Sequence, residues 1–196
     1  MSDQKSASEG GTRWRRFAAA IVPTVVIVGA LGAGIASGAV PVSFAVSGVQ
    51  FKVTADELTG TDFVQYGSIV QEKDGTPHAV AVSQIGSADL TNLCQSVAQP
   101  TPIGTVVLKL TAGSGDTPAH ADNLLIDMTQ LSGDATFTNI NIGQDASTLS
   151  DKAVAGGFGQ GADKVDIKNL SQSAWATTAG TFTLPGLNLS LGSSGC

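Results

Sequence analysis

Tyr66-Gly-Ser-Ile-Val-Gln-Glu-Lys-Asp-Gly-Thr-Pro-His-Ala-Val-Ala-Val82 carries the clearest folding signal in the chain. Its centre, Gln71 to Gly75, is polar and ends in Asp-Gly. That pair readily takes up the positive φ angles of a tight hairpin turn. The turn joins Tyr66–Val70 to His78–Val82, so the spacing predicts two antiparallel strands. Upstream, Val42-Ser-Phe-Ala-Val46 and Val49-Gln-Phe-Lys-Val53 alternate apolar and polar residues with period two, as strands with one buried face do. Downstream, Thr105–Leu110 is β-branched and Ala112–Pro118 is a Gly- and Ser-rich loop. Leu124–Met128, Ala135–Ile142, Lys164–Ile167 and Gly180–Leu191 complete the expected strands, and Ala146–Val154 alone has helical character.

Composition agrees. Of the 196 residues 42% are hydrophobic, but only 5% are aromatic and 13% charged. Soluble domains carry about 25% charged residues. Abundant Gly, Ser, Thr and Val with few Lys, Arg and Glu is poor helix material and good material for strands and turns. The chain has room for one ordinary domain, an all-β one: an antiparallel sheet or sandwich over 42–196, with a β-helix-like stack as the alternative.

A weak internal repeat suggests that stack. Leu58–Phe63, Ile85–Leu90, Leu131–Phe137 and Leu170–Trp175 each carry an apolar residue, a small polar turn and a second large apolar residue. Asp89-Leu-Thr-Asn-Leu93 also echoes Thr136-Phe-Thr-Asn-Ile140. Each repeat reads as a turn between strands. The spacing between them is irregular, whereas a solenoid keeps a steady period.

No ionisable side chain occurs from Phe17 to Phe51. Residues 17–40, FAAAIVPTVVIVGALGAGIASGAV, exceed the roughly 20 residues a helix needs to cross the hydrocarbon core. Arg13, Trp14, Arg15 and Arg16 precede this run and supply interfacial and positive-inside anchors. The expected topology is a cytoplasmic basic tip at 1–16, a single-pass anchor at 17–40 and an extracellular domain at 42–196 on the cell membrane. A signal peptide cut after Ser37-Gly38-Ala39 is the competing reading. Beyond residue 16, six lysines face fourteen carboxylates, about −8 in net charge with no arginine, which excludes nucleic acid as a partner.

Export also bears on the two cysteines, Cys94 and Cys196, because thiols oxidise outside the cytoplasm. Paired, they close a loop of about a hundred residues, worth roughly 4–5 kcal/mol in the chain-entropy picture. Two unpaired thiols are the alternative.

Chemistry has thin support. No Gly-x-Ser-x-Gly elbow occurs. His78 and His120 follow similar Pro-containing turns, and with Asp116 or Asp122 they make a metal site or half a triad only if their loops meet. Gly156-Gly-Phe-Gly-Gln-Gly161 lacks the strand before and the Lys-Ser/Thr after that a phosphate cradle requires, and reads as a flexible loop. No cofactor and no metal is indicated. A sheet with small apolar side chains and few charges leaves an apolar face, suited to a lipid, another apolar ligand or an envelope partner.

GTRWRRFA (11–18), SFAVSGVQFKVTADELTGTDFVQYGS (43–68), DLTNLCQS (89–96), DATFTNINIGQDAS (134–147) and SQSAWATTAGTFTLPGLNLSL (171–191) together resemble an actinobacterial, Streptomyces-type family of small membrane-anchored proteins of uncharacterised role. Some of its members carry the label cholesterol esterase. The resemblance implies an anchored envelope protein with Cys94 and Cys196 paired, and it carries no catalytic motif onto this chain. The expected function is a non-catalytic envelope module that binds a lipid, an apolar ligand or a membrane-protein partner. A structural or assembly role and a lipid-ester hydrolase are the alternatives.

Overall fold

The alternation at Val49–Val53 and the Asp-Gly turn belong to one long hairpin. In the computed structural model, which describes residues 46–102 and 104–196, β1 (Phe51–Gln71) runs into the turn at Asp74-Gly75 and returns as β2 (Pro77–Thr91) and β3 (Leu93–Thr101). One register spans all of it, from Gln71↔Pro77 through Leu58↔Leu90 to Phe51↔Val97. The anchor residues Arg13, Trp14, Arg15 and Arg16 and the run 17–40 lie outside the described residues.

β4 (Gly104–Ala112) pairs with β3, and β5 (Ala119–Thr138) continues along the same side of β2. β6 (Asn141–Asp145) precedes a 3-10 turn at Ala146–Thr148. β7 (Phe158–Thr178), β8 (Thr181–Thr183) and β9 (Asn188–Gly192) then line up along β5 and β4. All these strand pairs are antiparallel.

β7 also pairs with β1, which closes β1, β2, β5 and β7 into a ring. One circuit runs Gly67↔Ala81↔Met128↔Ala174↔Phe51 and returns to β1 16 residues from its start. So large a stagger over four strands makes each strand wind steeply around the ring axis. The interior is filled by small and medium side chains, with Ala119, Ala121 and Ala174 fully enclosed beside Leu58, Val165 and Leu170.

Five residues other than glycine have positive φ among those described: Asp62, Asn92, Asn123, Asn139 and Asn169, all between 51° and 55°. Asx side chains are the ones that enter this left-handed region at least cost. All but Asn139, which falls between β5 and β6, shift the in–out alternation by one. Ala88 and Leu90 are buried before Asn92 and Leu93 after it; across the ladder Val53 and Ala55 give way to Leu58. The same slip occurs at Asn123, between Ala121 and Leu124, and at Asn169, between Ile167 and Leu170. Three of these bends are latched by a cross-strand bond, Asn92 Nδ2 donating to Asp56 at 2.6 Å, Asn139 to Asp163 at 2.7 Å and Asn169 to Asp134 at 2.9 Å.

These bends correct four expectations. The repeats at Leu58–Phe63, Ile85–Leu90 and Leu170–Trp175 lie inside β1, β2 and β7, and Leu131–Phe137 inside β5, so none is a turn between strands. A single left-handed residue bends the ribbon without ending the ladder. The expected strand over Gly180–Leu191 divides into β8 and β9, because Leu187 N–H turns back to Leu184 C=O around Pro185-Gly186. Gly156–Gly161 is only partly a loop: β7 begins at Phe158, and Gly159 leaves room for Ala146 and Leu149, which a Cβ would meet at 3.0 Å. The helical character of Ala146–Val154 is realised only in the 3-10 turn.

Candidate interaction surface

The terminal strands of the sheet are β6 and β9, and their sequences differ in how they treat an open edge. β6 is bulged between Ile142 and Gln144 and ends on Asp145, features that discourage further strand pairing. β9, Asn-Leu-Ser-Leu-Gly, has neither charge nor proline, and its outer main chain pairs with no strand among the described residues.

Directly paired residues share a face of a sheet. Leu191 faces Leu108, Leu108 faces Val97 and Val97 faces Phe51, while Leu189 faces Leu110. The result is an apolar ladder continuing the inner face of the ring beyond its packed part. Toward the edge it is open to solvent: Leu189 is 60% and Leu191 73% exposed, with Leu108 and Leu187 also exposed.

The other face of this sheet is covered. Cys94 and Cys196 form a disulfide with Cα atoms 5.9 Å apart, spanning 102 positions. The bond draws residues 193–196 across β3 and β4. Cys196 N–H donates to Ser96 Oγ at 3.1 Å, Lys52 Nζ donates to Cys196 C=O at 3.0 Å, and Val107 is buried beneath Gly195. The disulfide therefore leaves the leucine face as the open one.

The two histidines have separate partners. His120, opposite Asp89 on β2, places Nδ1 2.7 Å from Asp89 Oδ1 and Nε2 3.2 Å from Asp122 Oδ1. Hydrogen bonds to Asp89 and then to Asp122 raise its pKa above the usual imidazole value. Both nitrogens lie against carboxylates, so the ring bridges Asp89 on β2 and Asp122 on β5. His78 Nε2 lies 2.8 Å from Glu72, and its ring stacks on Trp175 with centroids 3.9 Å apart. Asp116 stays in the loop before β5. No group of three or more His, Cys, Asp or Glu side chains suited to a metal occurs among the described residues.

Charge elsewhere is structural. Asp145 caps the 3-10 turn, accepting from Ser147 and from Gly156 N–H, and these bonds hold its carboxyl below the usual range. Tyr66 lies under the segment that follows β6, where burial pushes its phenol up. Asp134, Ala135, Thr136, Asp166 and Lys168 line a polar groove of about 560 Å³ on the outer surface.

The leucine edge is hidden in the sequence because Gly180–Leu191 reads there as one strand. The signal was present in the alternation Leu187, Leu189, Leu191 after Pro185-Gly186, a short strand with no charged residue to guard it. Residues 47–196 match the profile of DUF6230, a family of unknown function. Neither a curated protein nor a solved structure matches the chain.

Proposed function

We propose, for a chain that belongs to DUF6230 and takes no activity from that membership, that it is an exported, membrane-tethered, non-catalytic module whose β9 edge receives an extended strand of a partner polypeptide. The observation that carries the reading is the Leu108, Leu187, Leu189 and Leu191 ladder beside an unpaired, unguarded edge. Strand addition uses both parts of such a surface. The main chain of β9 supplies hydrogen bonds, and the alternate leucines supply side-chain selectivity. The tether rests on the uncharged run 17–40 and its Arg-Trp-Arg-Arg flank. The ring interior is filled by its own buried side chains, so this reading places the apolar function at the edge rather than in a barrel lumen.

The esterase label attached to similar Streptomyces-type proteins draws nothing from this geometry. Ester hydrolysis by a serine route needs a base that is free to accept the hydroxyl proton. His120 has both nitrogens engaged, and His78 is held by Glu72 and Trp175.

Photo-crosslinking residues placed singly at 188 to 191 of the full chain, in the membranes of the cell that makes it, test the proposal. A single protein adduct is expected from positions 189 and 191 but not from 188 and 190, and Leu191→Lys should abolish the adduct at 189. An adduct of twice the chain mass would assign the edge to self-assembly, and a lipid adduct to lipid binding. Absence of any adduct at 189 and 191 would remove the edge from the function.

A further inference from the structure

The second open rim lies at the β6 end of the strand order. On β1 the inner face passes from buried Phe63 to Gln65, then Gly67, then Ile69. Gln65, Gln160 and Ile142 form one row across β1, β7 and β6. Gln160 Nε2 donates to Gln65 Oε1 at 2.6 Å, and Gln65 Nε2 donates to Ser83 Oγ at 2.9 Å. This polar belt closes the packed interior. At its edge and beyond it the same face becomes apolar again: Ile142, in the belt's own row, is 66% exposed, and past the belt Ile69 is 66% and Phe158 63% exposed. A rim that met only water would end on the polar belt.

The chain joins the fold at this rim. β7 stops pairing with β1 at Gly159↔Tyr66, and Val46 takes its place along the edge left open, donating its N–H to Gln71 C=O at 3.0 Å. Gly48 packs so closely on Glu72 that a Cβ would stand 2.8 Å from Oε2, and Glu72 is held in turn by His78. The junction is thus fixed to the rim through its main chain and through a packed side chain. Val46 lies six positions beyond Val40, where the expected membrane span ends, about 20 Å of fully extended chain.

We infer that this rim rests on the lipid surface, with Ile69, Ile142 and Phe158 at the boundary between headgroups and acyl chains. The inference rests on the membrane-tether reading above and adds to it an orientation and a set of lipid-contacting residues. Lipid rather than a protein strand fits here, because β6 is bulged and ends on Asp145, so it cannot extend the ladder, while its apolar side chains stay uncovered. The rim carries Glu72, Lys73 and Asp74 at the hairpin and Asp145 opposite Phe158, a net charge of −2, so contact is driven by apolar insertion and draws nothing from anionic lipid.

The test uses the full chain in phosphatidylcholine nanodiscs, with its disulfide intact and a single added cysteine at 69, 142, 158 or 191 carrying an environment-sensitive fluorophore. Doxyl-labelled phosphatidylcholine should quench the probes at 69, 142 and 158 several-fold more than the probe at 191. Retention in the discs with equal, weak quenching at all four positions would overturn the orientation and leave the tether standing. Failure to be retained, with a chain beginning near Val40, would remove the tether and the orientation together.

Discussion

Asn92 combines a backbone at φ 52° with a side chain latched to Asp56, and the two contributions separate by substitution. Alanine loses both the tolerance of the left-handed region and the hydrogen bond, so Asn92→Ala should cost about 1–3 kcal/mol in denaturant unfolding. Asn92→Gly keeps the backbone freedom and should recover at least half of that loss. Equal losses for the two variants would mean that the bend is not what Asn92 provides. His120 gives a second residue-scale prediction. Its folded pKa is raised, so the stability it contributes is complete below the ordinary imidazole value of 6.5 and fades as pH rises through the folded pKa. The melting temperature of the protein should therefore exceed that of His120→Gln most at mildly acidic pH and converge with it in the alkaline range. Asp145 works in the opposite direction: its lowered pKa makes its stabilisation present at neutral pH and lost on acidification. None of these roles could be read from residue identity alone. Asp-Gly at 74–75 announced a turn, whereas Thr-Asn at 91–92 and 138–139 announced only a repeat, since a left-handed bend inside a strand and a turn between strands draw on the same residues.

β4 leads into β5 through Gly113, where the ladder changes partner. Gly113 has φ 69°, accepts from Asn92 N–H and donates to Pro185 C=O. A Cβ there would fall on the Ala119 amide nitrogen and lie 2.7 Å from Leu90 C=O, both main-chain atoms that cannot swing aside. Gly115, two residues on, has φ 70° with open space around it. Gly113→Ala should therefore cost roughly 3 kcal/mol or more and Gly115→Ala about 1 kcal/mol, the difference being steric overlap rather than dihedral preference. Thermal melts of the two variants side by side would decide it. At this scale the hairpin at 66–82 was fully legible, because its turn and its flanking strands are contiguous. β5 and β7 were not. Their 20 and 21 residues contain Asn123 and Asn169, which shift the alternation and make one bent strand look like two short ones with a turn between. The leucine edge was hidden by the reverse error, a Pro-Gly turn read through as strand.

The Cys94–Cys196 bond ties Cys196 to the start of β3, and reducing it should destabilise the fold by about 4–5 kcal/mol, the chain-entropy value for a loop of this length. A large drop in melting temperature on reduction, reproduced by Cys94→Ser, is the expected outcome; an unchanged melt would show that the ring alone holds residues 193–196. The pairing was legible because two cysteines allow only one intramolecular bridge. Ring closure was not, since nothing local in 51–66 or 159–174 marks the two segments as partners. That distant pairing bears on biogenesis. A strand made early has one of its edges matched only by a strand made about a hundred residues later. Until then β1 and β2 form a bent ribbon with open flanks, and the slow, non-local step of folding cannot begin. If the domain is exported as proposed, it crosses unfolded and completes its ring on the far side, during an interval in which its strand edges are most open to aggregation and to the folding factors of that compartment.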